Sequence, residues 1–159
     1  MSNLKSMSLD QIETILDYRF ENRELLMEAL SHSSLKVSPD IKSNDKLSFL
    51  GDSILYARTT LILIDRYPDA SREELNDYRK DIICNSYLAK ICEDNHLTDF
   101  MITGKSRDGQ PHSTDMMARM IEAIVGAIWT ENEEYACSFI DKLICSSQFF
   151  KNESNGGSC

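Results

Sequence analysis

The chain lacks any apolar run near the roughly 18 residues that a bilayer-spanning helix needs. Its longest, around Leu61–Ile64, is short and flanked by Arg58 and Asp65, so no membrane partner is expected. Met1–Asp10 is polar with Lys5 as its only basic residue, so neither a secretory signal nor an Arg-rich import peptide is expected. No two cysteines form a CxxC pair and no histidine stands at zinc spacing to them, which excludes the common zinc-module patterns. The cysteines at 84, 92, 137, 145 and 159 are odd in number. The first four of them fall in helical patterns, where cysteine acts as a small hydrophobe. With an exposed terminal Cys159, they fit a reducing, intracellular setting, cytoplasmic or nuclear. Basic charge is scarce as well. A formal net charge of −9 argues against tight, independent binding of a polyanion, which takes a basic footprint, although a local patch stays open. Period-two apolar alternation is missing throughout, which excludes a sheet protein, and no internal repeat is found.

What the chain does have is helical periodicity. Ser8-Leu9-Asp10-Gln11 reads as a capping box, followed by Ile12, Ile15 and Leu16 at helical spacing. A short helix is predicted over 23–31 with Asn22 as cap, then a loop over 32–43. A long helix follows over about 44–66, in which Leu47, Leu50, Ile54, Leu61 and Ile64 repeat at three and four until Pro68 stops it. Ser71-Arg72-Glu73-Glu74 is a second capping box. Its helix carries Tyr78, Ile82 and Ile83, breaks near Asp81 and resumes through Tyr87 and Ile91. Residues 104–111 form a loop. A buried helix is predicted over about 114–130 and a last one over about 132–147. The expected architecture is all-α, with six to eight helices in one domain over residues 1–150 and a flexible tail at 151–159.

The residues that bear chemistry cluster on two of these helices. Asp45, Ser48 and Asp52 recur at i, i+3 and i+7 and share one face. Carboxylates at such positions would supply the oxygen ligands that suit Mg²⁺. A solvated acidic face is the plain alternative. Against it stands Gly51, which costs about 1 kcal/mol relative to Ala inside a helix and calls for a packing reason, such as the close approach of another helix.

The stretch Asp45-Lys46-Leu47-Ser48-Phe49-Leu50-Gly51-Asp52 resembles the signature of the ribonuclease III family, which carries Glu where Ser48 stands. Ala118-Arg119-Met120-Ile121-Glu122-Ala123-Ile124-Val125-Gly126-Ala127 resembles the family's second stretch, which carries Asp where Arg119 stands. The segments 17–34, Glu73–Arg79 and Asn85–Ala89 also match, so the resemblance covers nearly the whole chain.

The resemblance implies a dimerising all-α endonuclease domain for double-stranded RNA, with two Mg²⁺ (or Mn²⁺) ions held by acidic residues. The family's four core carboxylates map to Ser48, Asp52, Arg119 and Glu122, so two acids remain and one position has become a cation. Asp52 and Glu122 are the implied catalytic and metal-binding residues, Glu74 a further implied metal ligand, and Asp45 a candidate replacement acid. Arg119 is expected between Asp52 and Glu122, pairing with both and competing with metal. An ion network of Asp115, Arg119 and Glu122 is expected in the former metal site, with a single weakly held Mg²⁺ at Asp52 and Glu122 as the alternative. The resemblance also places Phe49 at the dimer interface, inserted into the partner; ordinary core is its plain alternative. With only residues 148–159 after Ser147, the family's usual C-terminal RNA-binding domain is not expected. Duplex RNA is therefore expected to bind weakly in the dimer groove, aided by Lys42, Lys46, Arg72, Arg79, Lys105 and Arg107. The expected function is an RNase III-like domain for double-stranded RNA processing, with impaired or lost cleavage and an assembly role. It would act as a homodimer or as a heterodimer with an intact family member. An active Mg²⁺- or Mn²⁺-dependent endonuclease with a rearranged site is the alternative. His32, His96 and His112 are read as packing or surface residues, and Met116, Met117 and Met120 as core filler.

Overall fold

A computed structural model describes residues 2–35, 42–147 and 150. The expected flexible tail at 151–159 and much of the 32–43 loop lie outside the described residues. The remainder is all-helical: α1 (Ser2–Leu16), α2 (Arg23–Leu30), α3 (Asp45–Arg66), α4 (Arg72–Ile82), α5 (Asn85–Asp94), α6 (Thr114–Glu131) and α7 (Glu133–Cys145). Short 3-10 turns at Leu97–Phe100 and Lys105–Arg107 lie between α5 and α6. A single bridge, Ser31 to Ile102, ties the end of α2 to the segment before α6.

Local chemistry sets most of these boundaries. The Asn22 side chain accepts from the Glu24 backbone N–H at the start of α2. Ser71 and Glu74 make a complete reciprocal capping box on α4. Asn132 caps α7 through Tyr135. One cap expected from sequence is absent: α1 runs from Ser2 straight through Ser8, so Ser8 does not start a helix. A serine is tolerated inside a helix, and only the structure tells that case from a cap.

α6 is the central element. It packs against α2, α3, α5 and α7, and Met116, Met117, Met120, Ile121, Ile124, Val125 and Ile128 on it are all buried. α3 lies along α6 backbone to backbone. A Cβ on Gly51 would overlap the Glu122 carbonyl oxygen, and one on Gly126 would overlap the Leu47 carbonyl oxygen. Arg58 of α3 donates through Nε and Nη2 to the Asp141 carboxylate of α7, at 2.7 and 2.6 Å, and anchors the far end of the helix.

The apolar repeat of α3 divides between two faces. Leu47, Leu55 and Leu63 are buried in the core, whereas Leu50, Leu61 and Ile64 join Phe49 and Tyr56 among the exposed large hydrophobics. Over an 18-residue window α3 reaches a mean hydropathy of 1.4, apolar enough by composition to cross a membrane. Asp52 and Arg58 lie along it, however, and α6 packs against its inner face; a core helix meets the same criterion of length and composition.

A candidate metal cleft between α3 and α6

The Gly51–Gly126 approach decides where the acids lie. Asp52 follows Gly51 on α3, and Glu122 supplies the carbonyl that Gly51 touches on α6. The two side chains open into one cleft of about 480 Å³, lined by Asp45, Ser48, Phe49, Asp52, Asn85, Asp115, Arg119 and Glu122. The pairing expected of Asp52 with Glu122 is therefore present, and Asp45 and Asp115 share the cleft with them. Asn85 is an addition: the sequence marks it only as part of a matching segment, and it reaches the cleft because α5 begins there.

Glu122 is half-buried. Burial first, and the nearby charge of Asp52 second, push its carboxyl up to about 7, with the Arg119 charge pulling the other way. No hydrogen bond or ion pair from a described residue reaches the Asp52 or Glu122 carboxylate.

Arg119 does not stand between Asp52 and Glu122, as expected, but one turn away. Its Nε donates to Asp115 at 3.0 Å, and its Nη1 lies 3.9 Å from Asp45. Asp115 lies four residues before Arg119 on the same helix, and this favourable i,i+4 pairing draws the guanidinium toward the start of α6. The expected network thus holds for Asp115 and Arg119, with Asp45 in the place foreseen for Glu122. Ser48 is buried, and its hydroxyl donates back to the Asp45 carbonyl oxygen at 3.1 Å.

Glu74 is not brought to the cleft. Its carboxylate accepts from the Ser71 backbone N–H at 2.8 Å, which lowers its pKa and spends it on capping α4. Phe49 is 79% exposed at the cleft's rim, so the ordinary-core alternative fails for this chain. His32 lies outside the cleft lining; its Nδ1 accepts from the Ser34 backbone N–H at 3.1 Å, and burial lowers its pKa. None of the six basic residues expected to aid RNA binding lines the cleft.

The donor set can be tested against the divalent metals of this fold. Among the described residues no group of three or more acids, histidines or cysteines stands close enough to share an ion. Of the two acids expected to hold an ion, Glu122 is partly desolvated and Asp52 is exposed, and Arg119 lines the same cleft. A serine hydroxyl and a guanidinium beside these acids do not fit a pair of cations.

The fold and cleft define an all-helical nuclease-type domain whose acidic residues lie where two helices meet through glycines. The chain belongs to the ribonuclease-III-like family, whose model matches residues 22–148. It is 33% identical over 141 residues to a Ribonuclease 3 of Clostridium perfringens, covering 86% of this chain and 60% of that protein. A Ribonuclease 3 of Idiomarina loihiensis is 32% identical over 127 residues, covering 79% of this chain and 54% of the relative. The chain thus spans somewhat more than half the length of these relatives. Among solved structures, a nuclease domain of ribonuclease III from Campylobacter jejuni, described for flexibility in its dimer-forming region, superposes with TM-score 0.81 at 28% identity. That match covers 88% of this chain and 98% of the other. Dicer from Pichia stipitis matches with TM-score 0.62 at 21% identity, covering 86% of this chain and 60% of that one, and shares the fold alone.

Proposed function

We propose that this chain is a dimerising RNase III-like module that works with double-stranded RNA and has an impaired cleavage site. The observation that carries the reading is the cleft itself. It keeps Asp52 and Glu122 but sets Ser48 and Arg119 where the family places two further acids. Two-cation phosphodiester hydrolysis uses one ion to activate water and another to stabilise the leaving oxygen. A single cation at Asp52 and Glu122 would supply only part of that charge. In this reading Asp52 and Glu122 would hold any ion that binds, Mg²⁺ or Mn²⁺, and Asp45 steadies Arg119 rather than acting as a catalytic acid.

The outer face of α3 supports the dimer. Phe49, Leu50, Tyr56, Leu61 and Ile64 form an exposed apolar ridge along a 22-residue helix. A groove of about 660 Å³ opens beside it, lined by Tyr56, Thr60, Ile64, Leu75 and Arg79 among others. Such a ridge on a soluble domain marks an interface. Two copies of α3 crossing near Tyr56 in a two-fold arrangement would bring Phe49 of each to the other's groove, since Phe49 and Ile64 lie at similar distances on either side of Tyr56. The same ridge serves a heterodimer with an intact family member, in which that partner would do the cutting.

The test is duplex-RNA cleavage with Mg²⁺ and with Mn²⁺. The unmodified chain is expected to cut little. Ser48→Glu together with Arg119→Asp should raise cutting by about a hundredfold or more, because residues of a catalytic unit act together. Brisk cutting by the unmodified chain, abolished by Glu122→Gln, would overturn the reading in favour of a working nuclease with a rearranged site.

A further inference from the structure

His32 stands at a joint of three elements. Its own N–H donates to the Ile102 carbonyl at 2.8 Å, and the Ile102 N–H donates to the Leu30 carbonyl at 2.8 Å, so the end of α2 holds the segment that leads to α6. The Asn44 N–H donates to the Ser31 carbonyl at 2.8 Å, which seats the start of α3 on the same joint. One ring nitrogen closes it from the side. Nδ1 of His32 accepts from the Ser34 backbone N–H at 3.1 Å and lies 2.9 Å from the Ser34 hydroxyl, whose oxygen accepts from the Gly104 N–H at 3.0 Å. A Cβ on Gly104 would overlap the Ser34 carbonyl oxygen, so the two segments meet backbone to backbone. A backbone N–H can only donate, so this Nδ1 carries no proton and the imidazole is uncharged.

We propose that His32 is an acid-sensitive latch: its uncharged ring holds the 32–34 turn on the 102–104 segment, and a proton on Nδ1 releases that segment. Protonated Nδ1 turns from acceptor to donor and meets the Ser34 N–H with another N–H. The Ser34 amide then loses its acceptor, and the turn that carries the Ser34 hydroxyl to Gly104 is no longer held. The surroundings favour the uncharged ring. Burial first, and the Arg107 guanidinium second, lower its pKa from the ordinary 6.5; Asp45 of α3 pulls upward, and Arg119 of α6 and His112 press downward again. With the folded pKa lowered, the latch contributes in full above about 6.5 and is lost as the pH falls through the lowered value. Asn44 leads directly into Asp45, and the released segment leads into Asp115 in the first turn of α6. Opening therefore frees the ends of the two helices that carry the Asp45, Asp115 and Arg119 charges at the cleft. The latch lies outside the cleft and does not depend on the impaired-site reading.

The experiment is amide hydrogen exchange of the full chain by NMR at about pH 7.5 and about pH 5.5, corrected for intrinsic rates, with Ile124 in the middle of α6 as the reporter of global opening. Protection at Ser34 and Gly104 should fall severalfold on acidification and by no more than about tenfold, the factor that one histidine of ordinary pKa gains over one pH unit. Ile124 should not follow. His32→Asn is the rescue, because an asparagine side-chain oxygen accepts from the N–H two residues on, as in an Asx turn, and does not titrate. It should keep Ser34 and Gly104 protected at both pH values, whereas His32→Ala should leave them poorly protected at both. Ring-nitrogen shifts of the unmodified chain test the latch without any substitution: the proton should sit on Nε2 at the higher pH, and His32 should titrate together with the loss of protection. Protection that ignores pH would overturn the proposal, as would a proton on Nδ1 at the higher pH. So would a fall that persists in His32→Asn, which would assign the titration to His112 or to a carboxylate.

Discussion

Gly51 of α3 and Gly126 of α6 meet with no side chain between them. A Cβ on Gly51 would run into the Glu122 carbonyl oxygen of α6, and a Cβ on Gly126 into the Leu47 carbonyl oxygen of α3. This contact lets the two helices run close enough for Asp52 and Glu122 to open into one cleft, so the packing of the core and the composition of the site are one geometric fact.

Gly51→Ala should therefore destabilise the fold by about 3 kcal/mol or more, since the added methyl meets rigid backbone rather than a yielding side chain. Denaturant unfolding measures it. Ala is the better helix former by about 1 kcal/mol, so a stabilised Gly51→Ala variant would mean that the helices do not pack as described.

Phe49 is 79% exposed in the isolated chain, so Phe49→Glu should leave the unfolding of a monomer nearly unchanged. The dimer should lose about 2–4 kcal/mol of association energy, as for a central aromatic anchor. Light scattering across a concentration series separates the two effects. An unmodified chain that stays monomeric at micromolar concentration, alone and with an intact family member, would remove the dimer from the proposal.

Glu122 provides the pH dependence. Burial and the Asp52 charge raise its folded pKa from the ordinary 4.5 to about 7. A group whose folded pKa is raised contributes stability that is full below about 4.5 and is lost as the pH climbs through about 7. The carboxylate is partly exposed, so the loss should be about 1 kcal/mol after allowing for solvent screening. Urea unfolding at pH 5 and pH 8 should show Glu122→Gln losing less stability over that interval than the unmodified chain. An identical pH dependence in both proteins would refute this origin.

Duplex RNA should bind weakly and with a steep dependence on salt, because the chain carries a net charge of −9 and its basic side chains are scattered. Arg79 illustrates the scatter: it stacks 3.5 Å above the Tyr56 ring and donates to Thr60 rather than joining a basic stripe. Fluorescence anisotropy at low and physiological salt measures the effect. Nanomolar affinity at physiological salt would show that a local patch outweighs the global charge.

The sequence by itself determined the helices and the family. Asn22, Ser71 and Pro68 mark ends that local chemistry enforces, and the Asp45–Asp52 and Ala118–Ala127 stretches identify the two helices of the cleft, since caps and periodicity act within a few residues. The resemblance also set Ser48 and Arg119 against positions where the family pattern carries acids, because a departure from a pattern is visible without coordinates. Only the tertiary structure decided which way Arg119 turns, because Asp115 and Glu122 flank it at almost equal reach along α6 and Asp45 comes near only across the α3–α6 contact. Glu74 was legible in sequence as the cap of α4, and the structure shows that cap, with Glu74 away from the α3–α6 cleft lining. The exposed ridge of α3 is likewise a tertiary outcome. A helix that is apolar on more than one side does not announce which side faces the core, and the choice fell to the face that carries Gly51, where α6 can approach.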